Sequence, residues 1–168
     1  KTGTLTKGAF GVSDVIVEFG YKKSDILFYA ASLESKSEHS LAQGIVKKAK
    51  EKGIEIKEPE GFVSIPGKGV KGKVGGKHVK VVGQNYHQEK GIEVESQDID
   101  ELLIQGKTLV YVIVEDKMMG VLALSDVIRE ESKEAVSRLK KKGIACVMLS
   151  GDDKRVVSWV AKSLGIDE

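Results

Sequence analysis

The spacing of apolar residues changes twice near the start of the chain. Residues 12–19 alternate in part between apolar and polar positions, which predicts a strand. Residues 24–33 carry apolar residues three and four positions apart, which predicts a helix with Ser24 as its N-cap. Residues 41–52 repeat the helical spacing, and Gly53 predicts the end of this second helix.

The middle of the chain is rich in glycine and β-branched residues, a composition typical of short strands joined by turns. Three strands are predicted there, over residues 61–65, 69–74 and 78–83. Gly75 and Gly76 predict a two-residue hairpin turn between the last two strands. This α+β region is also predicted to contain a helix over residues 96–105 and two strands over residues 109–115 and 118–124. Residues 116–117 are predicted to form the turn between these two strands.

The pattern changes again after Ser125. Residues 130–142 and 154–164 predict helices, and residues 144–149 predict a short apolar strand of the kind buried on both faces. A helix–strand–helix succession is typical of a parallel α/β sheet. The sequence therefore predicts two domains, with a boundary near residues 123–127.

Composition narrows the classes of function. The 168 residues suffice to bury a core as one or two domains. The net charge of +2 is too small to predict a nucleic acid or an acidic membrane as partner. Cys146 is the single cysteine, which excludes an internal disulfide and predicts a buried core residue in a reducing compartment. None of the apolar runs approaches the about 20 residues that span a bilayer, and a signal peptide is not visible.

A polar motif follows the predicted strand at residues 144–149. It consists of Ser150, Gly151, Asp152 and Asp153, and it lies where open α/β sheets bind ligands. The glycine permits close approach of a phosphate, and the following helix start favours an anion. Ser150 is a candidate donor to a phosphoryl oxygen, and Asp152 is a candidate to organise the site. The alternative is that Asp152 or Asp153 only caps the helix.

The sequence GKGVKG, residues 67–72, has the spacing GxGxxG. It is not a dinucleotide fingerprint, because it begins a strand and does not open a helix. Glycines that flank a strand often mark turns or bulges. The functional alternative is close approach of the backbone to a planar or phosphorylated ligand.

Ser37, Glu38 and His39 precede the second predicted helix. One interpretation is structural, with Ser37 capping the helix and Glu38 placed at the positive end of its dipole. The other is a site for a nucleotide base. Glu38 would then accept a hydrogen bond from an exocyclic amine, and His39 would stack on the ring or bond to it.

The order of these motifs resembles the heavy-metal subgroup of P-type cation-transporting ATPases. Residues 1–6, KTGTLT, match the phosphorylation motif DKTGT without its aspartate. Residues 37–40 resemble SEHP, and residues 67–72 match GxGxxG. Residues 126–129 resemble the hinge DxxR, and residues 150–153 resemble TGDN. The similarity extends over essentially the whole chain.

The resemblance implies an α/β fold made of two domains. An α+β nucleotide-binding domain with an antiparallel sheet, residues 9–122, would be inserted into a haloacid-dehalogenase-like parallel α/β phosphorylation domain. Of that domain the chain would hold residues 1–8 and 123–168. The nucleophilic aspartate would precede Lys1, and a lysine and the motif GDGxND would follow Glu168. The chain is therefore expected to bind ATP but not to turn it over.

The resemblance also implies which residues hold ATP, namely Glu38, His39, Gly67, Gly69, Gly83 and Asn85. Glu38 would contact the adenine amine, His39 would hold the ring, and the first two glycines would line the pocket for base and ribose. The family has a Gly-Asn pair after the following strand. Here Gln84 stands in the place of the amide and Asn85 follows, so either amide is a candidate.

Six residues are implied for the catalytic site: Lys1, Thr2, Thr4, Ser150, Gly151 and Asp152. Thr2 would supply a backbone carbonyl to Mg²⁺, and the lysine and the second threonine would shape the site. Ser150 and Gly151 would hold the transferred phosphoryl group, and Asp152 would support the nucleotide-bound closed state. Such chemistry depends mainly on positioning and charge neutralisation, and an aspartyl-phosphate divides hydrolysis into two easier steps.

For the intact protein, the resemblance implies an integral membrane protein with this chain as a cytoplasmic region. It would couple ATP hydrolysis to transport of a heavy-metal cation. Copper is the expected cargo, with silver, zinc or cadmium as alternatives, and its ligands would lie in membrane helices that this chain lacks. The chain itself is expected to be soluble and monomeric, without a nucleic-acid partner.

Two other hypotheses fit part of the pattern. A haloacid-dehalogenase-like phosphatase would use a similar nucleophile, with the central insert as a cap. The motifs SEH and GxGxxG argue against this phosphatase, because a cap for a small substrate needs no adenine site. A non-catalytic nucleotide-binding module would bind nucleotide, and the intact protein would lack an aspartate before Lys1.

Overall fold

One six-stranded sheet organises the fold. The structure is a computed structural model that describes residues 1, 3–84, 86, 97–150 and 154–166. The strands are β1 Thr6–Val17, β2 Glu60–Ile65, β3 Gly69–Val74, β4 Lys77–Gly83, β5 Thr108–Val114 and β6 Lys117–Ile128. They lie in the order β1-β6-β5-β4-β3-β2, and each neighbouring pair is antiparallel.

Helices pack on both faces of the sheet and beyond its end. They are α1 Lys23–Glu34, α2 Ser40–Glu51, α3 Gln97–Ile104, α4 Glu130–Lys141 and α5 Lys154–Leu164. Within the described ranges, none of them combines the length and the apolar character needed to cross a membrane. The α/β fold class with an antiparallel sheet is thereby confirmed.

Alternate strand residues point to opposite faces of the sheet, so each face builds its own core. The first core packs α1 and α2 against the face that carries Val81 and Val112. The second core packs α3 against the opposite face, which carries Leu109 and Tyr111. A third core joins α4 and α5, with Val136 at its centre.

Two turns follow from local sequence. Gly75 and Gly76 have φ angles of +58° and +79°, which confirms the predicted hairpin between β3 and β4. The turn between β5 and β6 lies one residue earlier than predicted, because Glu115 and Asp116 adopt the positive φ angles of 49° and 58°. Aspartate tolerates this left-handed region better than most residues, which favours Asp116 inside the turn.

Residues 144–149 do not join a sheet within the described part of the chain, so the strand prediction was wrong. Val147 and Leu149 are 64% and 85% exposed, whereas Met148 is buried in the third core. An apolar run becomes a doubly buried strand only where other strands pair with it and helices cover it. Cys146, predicted to be buried, is half-buried for the same reason.

The predicted cap at Ser24 was also wrong. Helix α1 begins at Lys23, and its N-cap Lys22 makes no side-chain hydrogen bond to the helix. Ser24 already lies in the first turn, and its hydroxyl is 3.5 Å from Oδ1 of Asp25. A serine inside the helix no longer has the extended backbone from which a cap reaches the free N–H groups.

The predicted domain boundaries, at residues 8–9 and 122–123, fall inside β1 and β6. These two strands pair along their length, from Thr6 with Ile128 to Val17 with Gly120. The division into a nucleotide-binding and a phosphorylation domain stays a prediction.

Candidate functional site

A cavity of about 400 Å³ lies between the end of α1, the start of α2 and one end of β3, β4 and β5. Its polar and glycine lining includes Glu34, Ser37, His39, Gly67, Lys68, Gly69, Gly83 and Thr108. Apolar side chains such as Leu41 and Leu109 complete the wall. Four of the residues predicted for ATP, which come from separate elements, thus meet around one cavity.

His39 is the N-cap of α2. Its Nδ1 accepts a hydrogen bond from the main-chain nitrogen of Leu41 at 3.2 Å. An accepting Nδ1 carries no proton, so the neutral ring carries its proton on Nε2 and keeps that donor for a ligand. Ser37 does not cap the helix, contrary to the structural alternative, because its Oγ accepts from the main-chain nitrogen of His39 at 3.3 Å.

The three glycines of GxGxxG are needed for different reasons. At Gly69, with φ +144°, an added Cβ would lie 2.2 Å from the carbonyl oxygen of Val81. At Gly72 it would lie 2.9 Å from Cδ1 of Leu33. At Gly67, with φ +69°, a Cβ would meet nothing within 4 Å. Strand and helix packing therefore fix Gly69 and Gly72, and Gly67 forms a turn beside open space.

Glu34 lines the cavity and was missed by the sequence prediction. It is 8% exposed, and burial raises its pKa to about 7 although a hydrogen bond with Ser37 acts in the opposite direction. Its position in the buried stripe of α1, with Leu27 and Ala31, is a signal that sequence could have given. Glu38, which was predicted, is exposed and is not among the residues that line this cavity.

Gly83, Gln84 and Asn85 lie where the resembling family has its Gly-Asn pair. Gly83 lines the cavity, and its main-chain nitrogen donates to the carbonyl oxygen of Lys68 at 2.8 Å. This bond fixes the end of β4 against the β2–β3 turn. Gln84 is half-buried, and Asn85 lies outside the described residues.

Ser40 is the first residue of α2, where the resembling motif has proline. Its main-chain N–H has no hydrogen bond among the described residues, and the preceding His39 has the extended backbone that proline requires. We expect Ser40→Pro to raise the free energy of unfolding by about 0.4–1 kcal/mol, because proline restricts the unfolded chain. Urea denaturation measures this, with Ser40→Ala as the control. A loss of stability in Ser40→Pro alone would contradict the assignment of Ser40 to the first helical position.

The first motif of the chain lies next to the residue that directly precedes the last motif. The main-chain nitrogen of Lys1 donates to the carbonyl oxygen of Leu149 at 3.1 Å, which places Lys1 close to the residue before Ser150. The Lys1 carbonyl accepts from the main-chain nitrogen of Leu5 at 2.9 Å and closes a turn around Thr4. Both Thr4 and Ser150 are exposed. The other predicted catalytic residues lie outside the described residues: Thr2, Gly151 and Asp152.

The hinge-like residues Asp126 and Arg129 hold this first segment. Thr6 is fully buried, and its Oγ1 donates to Oδ2 of Asp126 at 2.5 Å. Arg129 donates from Nε to the carbonyl oxygen of Thr6 at 3.1 Å and from Nη2 to that of Gly3 at 3.3 Å. The turn around Thr4 is therefore anchored to the end of β6 and the start of α4.

Magnesium requires several oxygen ligands in near-octahedral geometry, usually including carboxylates. In the parts of the chain that the structure describes, no group of three or more His, Cys, Asp or Glu side chains converges. These residues alone therefore do not fit a magnesium site. The predicted metal ligand Thr2 lies outside them.

Comparison with known proteins adds independent evidence. The model of the haloacid dehalogenase-like hydrolases matches residues 1–168. The chain belongs to this hydrolase family. Copper-exporting P-type ATPase B of Archaeoglobus fulgidus is 48% identical to this haloacid dehalogenase-like chain over 168 residues, and the chain covers 24% of that protein. The chain thus spans about a quarter of the length of that curated relative.

Two solved structures resemble the fold of this haloacid dehalogenase-like chain. A zinc-transporting PIB-type ATPase in the E2.Pi state has a TM-score of 0.90 at 32% identity, covering 99% of this chain and 27% of that one. The second is the catalytic domain of the CPx-ATPase CopB-B, from a structure that reports its conformational changes upon nucleotide binding. It has a TM-score of 0.68 at 33% identity, and the match covers 100% of this chain and 57% of that one. The resemblance to heavy-metal P-type ATPases is confirmed by these relatives.

Proposed function

We propose that this chain is the ATP-binding region of a P-type ATPase that transports a heavy-metal cation, with copper as the cargo. The observation that carries the proposal is the cavity in which His39, Gly67, Gly69 and Gly83 converge. The name of the Archaeoglobus relative supports copper. In the intact protein, ATP hydrolysis through an aspartyl-phosphate would drive the cation across a membrane, with this region on the cytoplasmic side.

The cavity suits a planar base that carries an amine. His39 offers its ring face and its Nε2–H, and the open space beside Gly67 admits the edge of a ring. Buried Glu34 accepts a hydrogen bond from an amine when ionised and donates one to a ring nitrogen when protonated. Glu38 stays a candidate for the amine from the solvent side, and Asn85 stays a candidate amide.

The phosphoryl site would lie where Lys1 approaches the loop at Ser150. The hydrogen bond between Lys1 and Leu149, which directly precedes Ser150, supports a site formed jointly by Lys1, Thr4 and Ser150. Gly151, Asp152 and Thr2 would complete it, and Mg²⁺ would bind the Thr2 carbonyl.

A nucleotide titration followed by NMR tests the proposal. We expect ATP to shift the amide signals of His39, Gly67, Gly69 and Gly83 saturably, and we expect GTP, which lacks the adenine amine, to bind more weakly. His39→Ala should weaken ATP binding by about tenfold without unfolding the protein, since it removes the ring that holds the base.

His78→Ala is the matched control, because His78 is an exposed histidine of β4 outside the cavity. Its ATP affinity should stay within about twofold of the parent. Equal weakening by both substitutions would contradict the assigned site. If ATP produces no saturable shift at all, a phosphatase with a cap insert replaces the transport hypothesis.

A further inference from the structure

A second groove, larger than the nucleotide cavity, runs along the outer edge of β1. Its volume is about 740 Å³, and residues 13–16 line it in succession. Asp14, Val15 and Ile16 follow the register shift at Ser13 and pair regularly with β6, so their side chains point alternately to opposite faces. Three such residues in a row can line one groove only if it lies beside the strand. β1 is at the end of the sheet order, and its outer edge has no strand partner among the described residues. The edge of a sheet is the place where a further strand can pair.

The two walls of this edge groove carry opposite charges. Lys48 and Lys52 lie one helical turn apart at the end of α2, on one wall. Asp98 and Glu101 of α3 lie on the other wall. None of these four side chains forms an ion pair with another residue of the described ranges. The groove therefore separates two sets of charges that do not neutralise each other.

Apolar side chains show that the walls belong to different faces of the sheet. Val15 packs with the first core, beneath α1 and α2, whereas Ile16 packs with the second core, together with Leu102 of α3. On the second face, Nζ of Lys107 lies 2.6 Å from Oδ2 of Asp14, and the Lys107 side chain is only 9% exposed. This ion pair fixes the floor of the groove beside the acidic wall.

We propose that the edge groove binds an extended peptide segment of a partner protein, which adds to β1 as a further strand. Alternate side chains of such a strand face opposite walls. The segment therefore carries acidic residues on the face toward Lys48 and Lys52, and basic residues on the face toward Asp98 and Glu101. Main-chain hydrogen bonds supply the affinity, and the wall charges select the sequence.

The edge groove is independent of the proposed ATP site. The two cavities share no residue among those described as lining them. Binding of the segment is therefore expected without nucleotide, and failure of one proposal leaves the other standing.

A designed peptide tests the charge pattern. The probe is a blocked heptapeptide, Val-Lys-Glu-Thr-Glu-Lys-Val, whose glutamates share one face of a strand and whose lysines share the other. The control Val-Lys-Lys-Thr-Glu-Glu-Val has the same composition but places one lysine and one glutamate on each face. We expect the probe to shift the amide signals of residues 13–16 saturably and to bind at least about tenfold more tightly than the control peptide.

Charge reversal of the walls provides the sharper test. Lys48→Glu with Lys52→Glu makes both walls acidic and should weaken the probe by about tenfold or more. Adding Asp98→Lys and Glu101→Lys exchanges the two walls. Binding should then return, because a slip of one residue in register exchanges the two faces of the peptide.

Lys47→Glu with Lys50→Glu is the control, since both lysines are exposed on α2 outside the groove. Circular dichroism verifies that each variant is folded. If the variant with all four charges reversed does not fold, the comparison of the two peptides on the parent protein still tests the proposal. Equal binding of probe and control peptide, or no saturable shift at residues 13–16, overturns the proposal. Shifts at these residues that depend on protein concentration alone overturn it in favour of a second copy of the chain.

Discussion

Replacement of Glu34 by glutamine is expected to raise the free energy of unfolding by about 2–3 kcal/mol at about pH 8, and by less than about 0.5 kcal/mol at about pH 4.5. Burial raises the pKa of Glu34 from its ordinary 4.5 to about 7. As the pH rises between these values, the unfolded chain ionises first, and the folded protein loses stability until its own carboxyl has also ionised. Glutamine cannot ionise, so the variant does not pay this penalty.

Urea denaturation at both pH values, followed by circular dichroism, measures the effect of Glu34→Gln. Glu38→Gln is the matched control, because Glu38 is exposed and close in sequence. Its stability should be nearly unchanged at both pH values. A destabilised Glu34→Gln at the higher pH would mean that the ionised Glu34 has a partner that offsets its burial.

Gly69→Ala is expected to lower the free energy of unfolding by about 3 kcal/mol or more. Its Cβ would lie 2.2 Å from the carbonyl oxygen of Val81 and 2.7 Å from Cα of Val82, with φ at +144°. These atoms belong to the backbone of β4, which cannot turn aside as a flexible side chain can. The substitution therefore separates β3 from β4 at the end that lines the nucleotide cavity.

Gly67→Ala provides the comparison for Gly69→Ala. Its φ of +69° is left-handed and its surroundings are open, so alanine should cost only about 1–2 kcal/mol. Thermal unfolding and urea denaturation of both variants measure the difference. If the two losses are equal, close approach of β4 is not the reason for glycine at position 69. Because the Gly67 variant is expected to fold, its ATP affinity tests the role of that turn directly.

Elements whose geometry depends only on residues nearby in the sequence were predictable. The spacing of apolar residues located α2, and Gly75 and Gly76 located the β3–β4 turn. The apolar run at residues 144–149 also has strand character, but a strand forms only with partners, and no local pattern shows whether they are present. Thus a run of β-branched and apolar residues correctly predicted a strand at β4 but wrongly predicted one at residues 144–149.

The site was predictable to a similar degree. Motif spacing identified His39 and the glycines, because their chemistry is visible in the residue types. The place of Glu34 in the apolar stripe of α1 was visible in the sequence, but its raised pKa was not, because the shift arises from packing between α1 and the sheet. The role of His39 as N-cap was missed as well, since it depends on the orientation of the ring toward Leu41.

The ladder between β1 and β6 determines how the third core can move against the sheet. Both strands are 12 residues long, and their pairing has register shifts between Thr6 and Phe10 and between Val12 and Asp14. Such irregularities bend and twist a strand pair locally. A rotation of α4 and α5 must therefore flex a hydrogen-bonded ribbon and is opposed by an elastic restoring force. The nucleotide cavity and the loop at Ser150 would then return to a preferred separation after each displacement.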